Sequence, residues 1–431
     1  MKILKSNVIS PFGGLNFVLN ELDNQKIGEL LIQQLPDLPG QCKYDWRDLL
    51  YSFWAIPFCG GDCLEDLSMN IRSGFESNPI LQMPSPDRLL ERMKELSVPK
   101  DIIYSTRGET GHEFSANDQL NRLNIKLLKR LGLLGNSVAT LDFDHTMIFT
   151  DKADAKMTYK RHRGYNPGVG LIDGKVVYVE NRNGNSGAHI LQEHTLERMF
   201  NILKNECTHI TAFRADSASF SFESLTVINR NVDKVYIRPR MSEALARAIG
   251  TIDDWTFVQT EKGLLQRAET FFTPFERTAK RNKQIDQLKQ YRLVVTKEPR
   301  LDGQVNLFTG EAYCYWCVLT TDHQMNMNEI IQFYDNRGAA EKEFDILKND
   351  FSWGNMPFSI LEQNTVFLIL SAMCRNIYAY MIRLFSKVSP RLQPQYRIKK
   401  FIFRFICIPA KWIRRSRSWQ LRIYGEVAFK T

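Results

Sequence analysis

The chain has no dense cysteine framework: eight cysteines (42, 59, 63, 207, 314, 317, 374 and 407) are scattered over 431 residues. That excludes a disulfide-built domain and leaves reduced thiols as the expectation. Cys59-x3-Cys63 and Cys314-x2-Cys317 resemble two half zinc sites in spacing. The second pair, however, falls in the strand-like stretch Tyr313 to Thr320, which argues against structural zinc. No apolar run reaches membrane length. The most apolar one, Val366 to Cys374, is followed by Arg375 and reads as part of a buried helix. Met1 to Val8 carries no apolar core of signal-peptide length. Internal repeats and low-complexity tracts are also missing, so solenoids and disordered linkers are excluded as the main architecture. The expectation is a cytoplasmic protein without a membrane partner.

What is present is ordinary in amount and uneven in distribution. Hydrophobic residues make up 43% and charged residues 24%, a globular balance. At 431 residues the chain calls for two to four structural units. Fifty-seven Lys plus Arg against 48 Asp plus Glu give a formal charge of +9, compatible with a polyanionic partner. From Arg383 to Thr431 there are 13 Lys or Arg and one acid, Glu426, so this stretch carries +12 and the remainder is close to neutral.

Residues 1–128 are expected to form a helical N-terminal unit. Leu19 to Leu35, Asp45 to Ile56 and Pro86 to Leu96 have apolar residues at three-to-four spacing, and Ser85-Pro86 is a capped helix start. Such a unit suits duplex DNA binding or dimerisation equally. From residue 129 to 240 the texture becomes α/β. Ser137 to Phe149, Gly164 to Ile172 and Lys175 to Asn181 read as strands, the last two joined by an Asp173-Gly174 hairpin turn. A helix from Ala188 to Asn205 follows, then a strand His209 to Ala215, a helix to Asn229 and a strand Lys234 to Arg238. Three antiparallel strands, helix, strand, helix, strand opens the ribonuclease H-like layout, a mixed five-stranded sheet with helices. Residues 241–328 read as a mainly β insertion, with strands at Trp255 to Gln259, Arg292 to Thr296 and Ala312 to Thr320. The core then resumes at 329–385 with a helix around Glu341 and another from Leu361 to Phe385, and 386–431 is expected to be a basic tail.

Three stations carry chemistry. Asp142 and Asp144 are two apart in a strand, so both carboxylates take one face while Leu141 and Phe143 take the other. Two such acids repel and call for a divalent cation. Asp216 stands at the C-terminal end of another strand just before a helix, where open α/β sheets place their sites. Tyr334, Arg337, Glu341 and Lys348 fall at roughly 0°, 300°, 340° and 320° on a helix, so a ring, two cations and a carboxylate share one stripe. Asp345 is also on that face; Glu343 points away. Acids from a first strand, a fourth strand and a late helix would hold two Mg²⁺ ions, with Mn²⁺ as substitute, for in-line phosphoryl displacement. His189 and His194 are five apart, the wrong spacing for a shared metal.

Tyr334-x2-Arg337-x3-Glu341-x6-Lys348 resembles the Tyr-Arg-Glu-Lys signature of bacterial insertion-sequence transposases of the DDE type. Leu141 to Thr146 and Arg214 to Phe220 are similar to the segments holding that family's first two aspartates. The resemblance implies a ribonuclease H-like core and Mg²⁺-dependent nicking at the element's terminal inverted repeats. It also implies strand transfer into target DNA and a homodimer on double-stranded DNA. Asp216 and Glu341 match the second and third acids, and Tyr334, Arg337 and Lys348 match DNA-end contacts. For the first acid, an Asp-x-Thr element favours Asp144 with Thr146, while Asp142 is better centred in its strand; both are carried forward. The family also suggests an aromatic that stacks on an extruded base, for which Trp316 stands in the right strand, although an isolated strand Trp is expected to be core. Ser217 and Ser219 are expected to cap the following helix rather than act as nucleophiles. Where relatives carry Gly-Phe after the second acid, this chain has Ser217 to Phe220.

Overall fold

The computed structural model describes residues 9–76, 78–104, 110–135, 139–260, 263–300, 304–305, 310 and 312–425. The reading of Met1 to Val8, the start of the strand from Ser137 and Glu426 lie outside them.

The N-terminal segment forms α1 (Leu15–Asn24), α2 (Ile27–Gln34), α3 (Trp46–Phe58) and α4 (Pro86–Glu95). The single helix expected over Leu19 to Leu35 is two, because Lys26 takes a left-handed φ of 55° between them. Asp45 and Ser85 cap α3 and α4 by accepting from the Asp48 and Arg88 amides, as their side-chain chemistry dictates. Residues 1–128 are not wholly helical: β1 (Asp101–Tyr104) and β2 (Gly111–Ala116) precede α5 (Asp118–Arg130).

Next come β3 (Ala139–His145), then a small separate sheet of β4 (Ile148–Phe149), β5 (Lys156–Met157) and β6 (Arg163–Tyr165). The chain continues through β7 (Gly168–Ile172), β8 (Lys175–Arg182), α6 (Gln192–Asn205), β9 (Ile210–Ala215), α7 (Phe222–Asn231) and β10 (Lys234–Ile237). Asp173 and Gly174 turn the β7–β8 hairpin with φ of 47° and 72°, the pair of positive values that a tight right-twisted hairpin needs. Five strands lie in the order β8-β7-β3-β9-β10; β3, β9 and β10 are parallel, and β7 and β8 antiparallel to their neighbours.

The segment expected as a mainly β insertion continues the main sheet. After α8 (Glu243–Gly250), β11 (Thr256–Thr260) and β12 (Gly263–Phe272) lead through α9 (Glu276–Arg281) to β13 (Tyr291–Pro299) and β14 (Tyr313–Thr320). β14 pairs with β10 through Tyr236↔Thr320 and Ile237↔Leu319. With β1 and β2 added beyond β8, one sheet of eleven strands results. Open edges of a five-stranded core are thus covered on both sides by further pairing.

α11 (Ala339–Asp350) and the 25-residue α12 (Leu361–Phe385) pack with α1 to α4 around Trp54, Leu171, Val179, Leu347 and Phe367, while α10 (Met327–Asp335) packs separately, with Ile330 against Ala212, Tyr236, Val294 and Val318. α6 and α7 cover the face of the sheet that carries Leu141, Phe143 and Phe213. α12 is long and apolar enough by length and composition to cross a membrane, yet 83% of its apolar window is buried in the fold. Trp54 donates to its Leu370 carbonyl (3.0 Å), tying the N-terminal helices to it. The expected tail is folded: α13 (Ile398–Phe401) and a hairpin of β15 (Ala410–Arg415) and β16 (Ser418–Ile423) return to α1, where Trp412 donates to Asn16.

Glu180 of β8 is fully buried and held by Arg198 (2.8 and 2.9 Å), Thr195 and Tyr178. Burial opposes its ionisation, but the Arg198 guanidinium and these hydrogen bonds outweigh it and hold the carboxyl below the usual range. Its stabilising contribution is therefore complete above the unfolded glutamate pKa of about 4.3 and declines as pH falls through the lower folded value. Glu180→Ala, which leaves Arg198 without its partner, should cost about 3–5 kcal/mol in urea denaturation at pH 7. The same variant should show a shallower loss of stability on acidification than the parent.

Candidate active site

Asp142 of β3 lies in register with Arg214 of β9, its parallel neighbour. Both side chains face the α10 side of the sheet, and the guanidinium binds the carboxylate at 2.7 Å through two nitrogens while also donating to the Phe333 carbonyl. Asp142 is thus buried and taken up in a two-point ion pair. One pleat further along, Asp144 and Asp216 stand beside each other at the C-terminal ends of the same strands, and there both partners are acids. Burial first and then the Asp216 charge push Asp144 up to about 6, although Arg337 and the His145 amide favour its ionised form.

A cleft of about 610 Å³ opens over this pair, lined by Asp144, Asp216, Arg337, Glu341, Asp345 and Lys348, with Thr146 at its rim. Its far wall is Arg337 and α11, not one long helix running from Tyr334. Asn336 to Gly338 make a 3₁₀ turn between α10 and α11, so the expected stripe from Tyr334 to Lys348 is broken. Glu341 opens α11 with its side chain 72% exposed towards the cleft, and Arg337 donates to Asp144 at 2.8 Å and lies 3.9 Å from Glu341. Lys348 sits deeper; burial and then the nearby Lys160 hold its ammonium below the usual lysine range. Asp345 is bound by Arg397 at 2.7 Å, and Glu343 is turned away to Arg375 at 2.9 Å, locking α11 onto α12.

Tyr334 does not share this cleft. Its hydroxyl donates to the Ala215 carbonyl, the residue before Asp216, and its ring lines a neighbouring cleft of about 520 Å³ with Trp316, Arg238 and Arg267. Arg337 lines both. Trp316 is 45% exposed, contrary to the core burial expected of it, because its ring opens into that neighbouring cleft between β14 and α10 rather than packing in the core. Arg238 stacks on its ring at 4.2 Å. The helix caps expected at Ser217 and Ser219 belong instead to Asp216, which accepts from Ala218, and to Ser221, which accepts from Ser224.

The cleft carries the carboxylates of Asp144, Asp216, Glu341 and Asp345 and the cations of Arg337, Lys348 and Lys160, with Arg337 the one that reaches the acid pair. The hard oxygen donors of Asp144, Asp216 and Glu341 would suit a divalent cation, but here their carboxylates do not all lie within 4.8 Å of one another. Elsewhere Asp62, Cys63 and Asp66 lie together in an exposed turn, but there Asp66 already accepts from the Asp62 and Cys63 amides. All eight cysteines are free thiols.

Sequence reasoning passed over Arg214, whose place two residues before Asp216 mirrors that of Asp142 before Asp144; this matched spacing was the available signal. It also passed over Tyr159 and Lys160, which line the cleft from the small β4–β6 sheet.

A family model described as "Transposase DDE domain group 1" matches residues 99–431. Among solved structures, a cryo-EM structure of a piggyBac transposase synaptic complex with hairpin DNA is similar at 9% identity, over 93% of this chain and 80% of that one, with a TM-score of 0.41. No curated protein matches.

The two first-strand acids should respond oppositely to substitution. Asp142→Ala leaves Arg214 buried without its partner and should cost about 3–5 kcal/mol in urea denaturation. Asp144→Asn removes a like-charge contact and should leave stability at pH 8 unchanged or raise it by about 1 kcal/mol. Equal losses for both would contradict the division drawn between them.

Proposed function

This chain belongs to the transposase DDE domain family, a metal-dependent class of DNA transposition enzymes, and we propose that it cuts an insertion sequence at its terminal inverted repeats and joins the ends to target DNA. The observation that carries the reading is the pairing of Asp144 with Asp216 in a cleft whose far wall supplies Glu341, Arg337 and Lys348.

In this reading Asp144, Asp216 and Glu341 hold Mg²⁺, or Mn²⁺ in its place. The metal, when bound, activates the attacking hydroxyl and stabilises the leaving oxygen of an in-line displacement. Asp142 is a positioning residue: through Arg214 and the Phe333 carbonyl it fixes β3, β9 and α10 relative to one another. Arg337 and Lys348 bind phosphates of the DNA end, Arg337 through its planar fork and Lys348 as a point charge in a partly desolvated wall. Tyr334 braces the Asp216 turn and presents its ring to the adjoining cleft. There Trp316, freed from Arg238, offers a stacking face for an extruded base.

The sheet order β8-β7-β3-β9-β10, with its first three strands antiparallel and the last two parallel to β3, supports a ribonuclease H-like core. The spacing of Tyr334, Arg337, Glu341 and Lys348 supports a place among bacterial Tyr-Arg-Glu-Lys elements. Joining two ends requires two active sites, so we assign a homodimer on DNA.

A labelled fragment bearing the terminal inverted repeat, incubated with Mg²⁺ and a supercoiled plasmid, should yield joined products. Cleavage without joining would instead identify a nuclease, and binding alone a catalytically silent end-binding protein. Glu341→Gln should reduce strand transfer by at least about 10³-fold while leaving end affinity within about threefold, since it removes metal chemistry and not a phosphate grip. Retained transfer would refute the role given to Glu341. Arg337→Ala and Lys348→Ala should each weaken end binding and lower the slope of log affinity against log salt by about 1.

A further inference from the structure

We propose that the small β4–β6 sheet is a nucleotide grip: Tyr159 stacks on an unpaired base at the DNA end, and Lys160 with Arg161 holds the adjoining phosphate. The inference deepens the transposase reading and rests on it. β4–β6 is inserted between β3, which carries Asp144, and β7, and its tip lines the cleft that holds the acid pair. The tip is a tight turn. The Thr158 amide and hydroxyl both donate to the His162 carbonyl at 2.8 Å, and the Arg161 amide donates to Thr158 at 3.0 Å. Arg161 is left-handed, with φ of 62°, as this turn requires. Below the tip, Arg163 donates to the Ala155 carbonyl (2.8 Å) and the rings of Phe149 and His162 meet at 5.2 Å. The tip is therefore held in one shape before any ligand arrives.

On this fixed turn Tyr159 is 76% exposed, although it lines the same cleft as Asp144, Asp216 and Glu341. Neither Lys160 nor Arg161 has a carboxylate partner among the described residues; Lys160 lies 6.0 Å from the Tyr159 ring and is close enough to Lys348 to repel it. An exposed ring beside unpaired cations suits single-stranded nucleic acid, where base faces stack on aromatics and the backbone meets positive charge. A base inside a duplex offers no such face, because both its sides are stacked, and the last pair of a blunt end offers one face with its partner still attached, whereas an unpaired base can turn its whole face to the ring. The occupant is accordingly the first unpaired nucleotide of a frayed or cut end.

The test uses the full chain in EDTA, so that chemistry is absent, and two duplexes bearing the terminal repeat. One is blunt; the other has three unpaired nucleotides at its end, with 2-aminopurine at the first. The unmodified chain should bind the unpaired end about tenfold more tightly and change the 2-aminopurine fluorescence, consistent with about 1–3 kcal/mol per stacked base. Tyr159→Ala should lose both the preference and the fluorescence change, with at most a twofold effect on the blunt duplex. Tyr159→Phe should retain both, and Lys160→Ala should keep the fluorescence change while lowering the salt slope. A Tyr159→Ala protein that keeps the preference, or loses affinity equally for both ends, overturns the grip and leaves the transposase reading standing. Failure of the unmodified chain to bind either duplex overturns both.

Discussion

The structure depends on a like-charged contact: Asp144 beside Asp216 at the ends of two adjacent parallel strands. Left alone, such a pair is unfavourable, and burial and repulsion together push Asp144 up to about 6. A protein retains an arrangement of this kind only when the surrounding fold over-determines it. Here the over-determination is visible one pleat away, where Asp142 and Arg214 occupy the same relative positions with opposite charges. The ion pair fixes the register of β3 against β9, and that register forces the two further carboxylates together.

The helical wall follows from the same pair. Arg214 reaches past Asp142 to the Phe333 carbonyl, which anchors α10 over the sheet. The 3₁₀ turn at Asn336 to Gly338 then redirects the chain so that Arg337 meets Asp144 and Glu341 opens the next helix over the cleft. A continuous helix would have kept Tyr334 on the same stripe as Glu341. The break separates them, giving the ring to the Trp316 cleft and the carboxylate to the acid pair. Glu343 with Arg375, and Asp350 with Arg397, tie α11 to α12 and to the C-terminal segment, so the wall is rigid where it must hold charge.

Much of this was legible in the sequence because it depends on local period. The parity of Asp142 and Asp144, the strand-then-helix setting of Asp216, the Asp173-Gly174 turn and the opposed directions of Glu341 and Glu343 all follow from two-residue or 3.6-residue repeats. What was not legible depends on partners far away in the chain. Whether Asp142 or Asp144 faces another acid is decided by strand register, which a single strand does not encode. The exposure of Trp316 is decided by the cleft left between β14 and α10. The merging of residues 241–328 into the main sheet is decided by the edge of β10, and β12 escaped notice because its burial follows no simple alternation. Basic residues after Arg383 resembled a loose tail by composition, yet Trp412 and Phe405 pack them against α1.

That packing bears on how the charge is used. A disordered basic tail would attract DNA without orienting it, since flexible cations follow the phosphates wherever they lie. Folded back on α1, the hairpin instead holds Lys411, Arg414, Arg415, Arg417 and Arg422 at fixed positions on a two-stranded ribbon. Among the described residues none of these five is joined to a carboxylate, whereas Arg397, at the start of the segment, is used internally by Asp345 and Asp350. The positive charge of the C-terminal segment is thus divided by geometry: part closes the active-site wall and part remains free for an external polyanion. Both parts are carried by one segment packed on α1 and α11, so the free cations of the ribbon keep a fixed position relative to the acid pair.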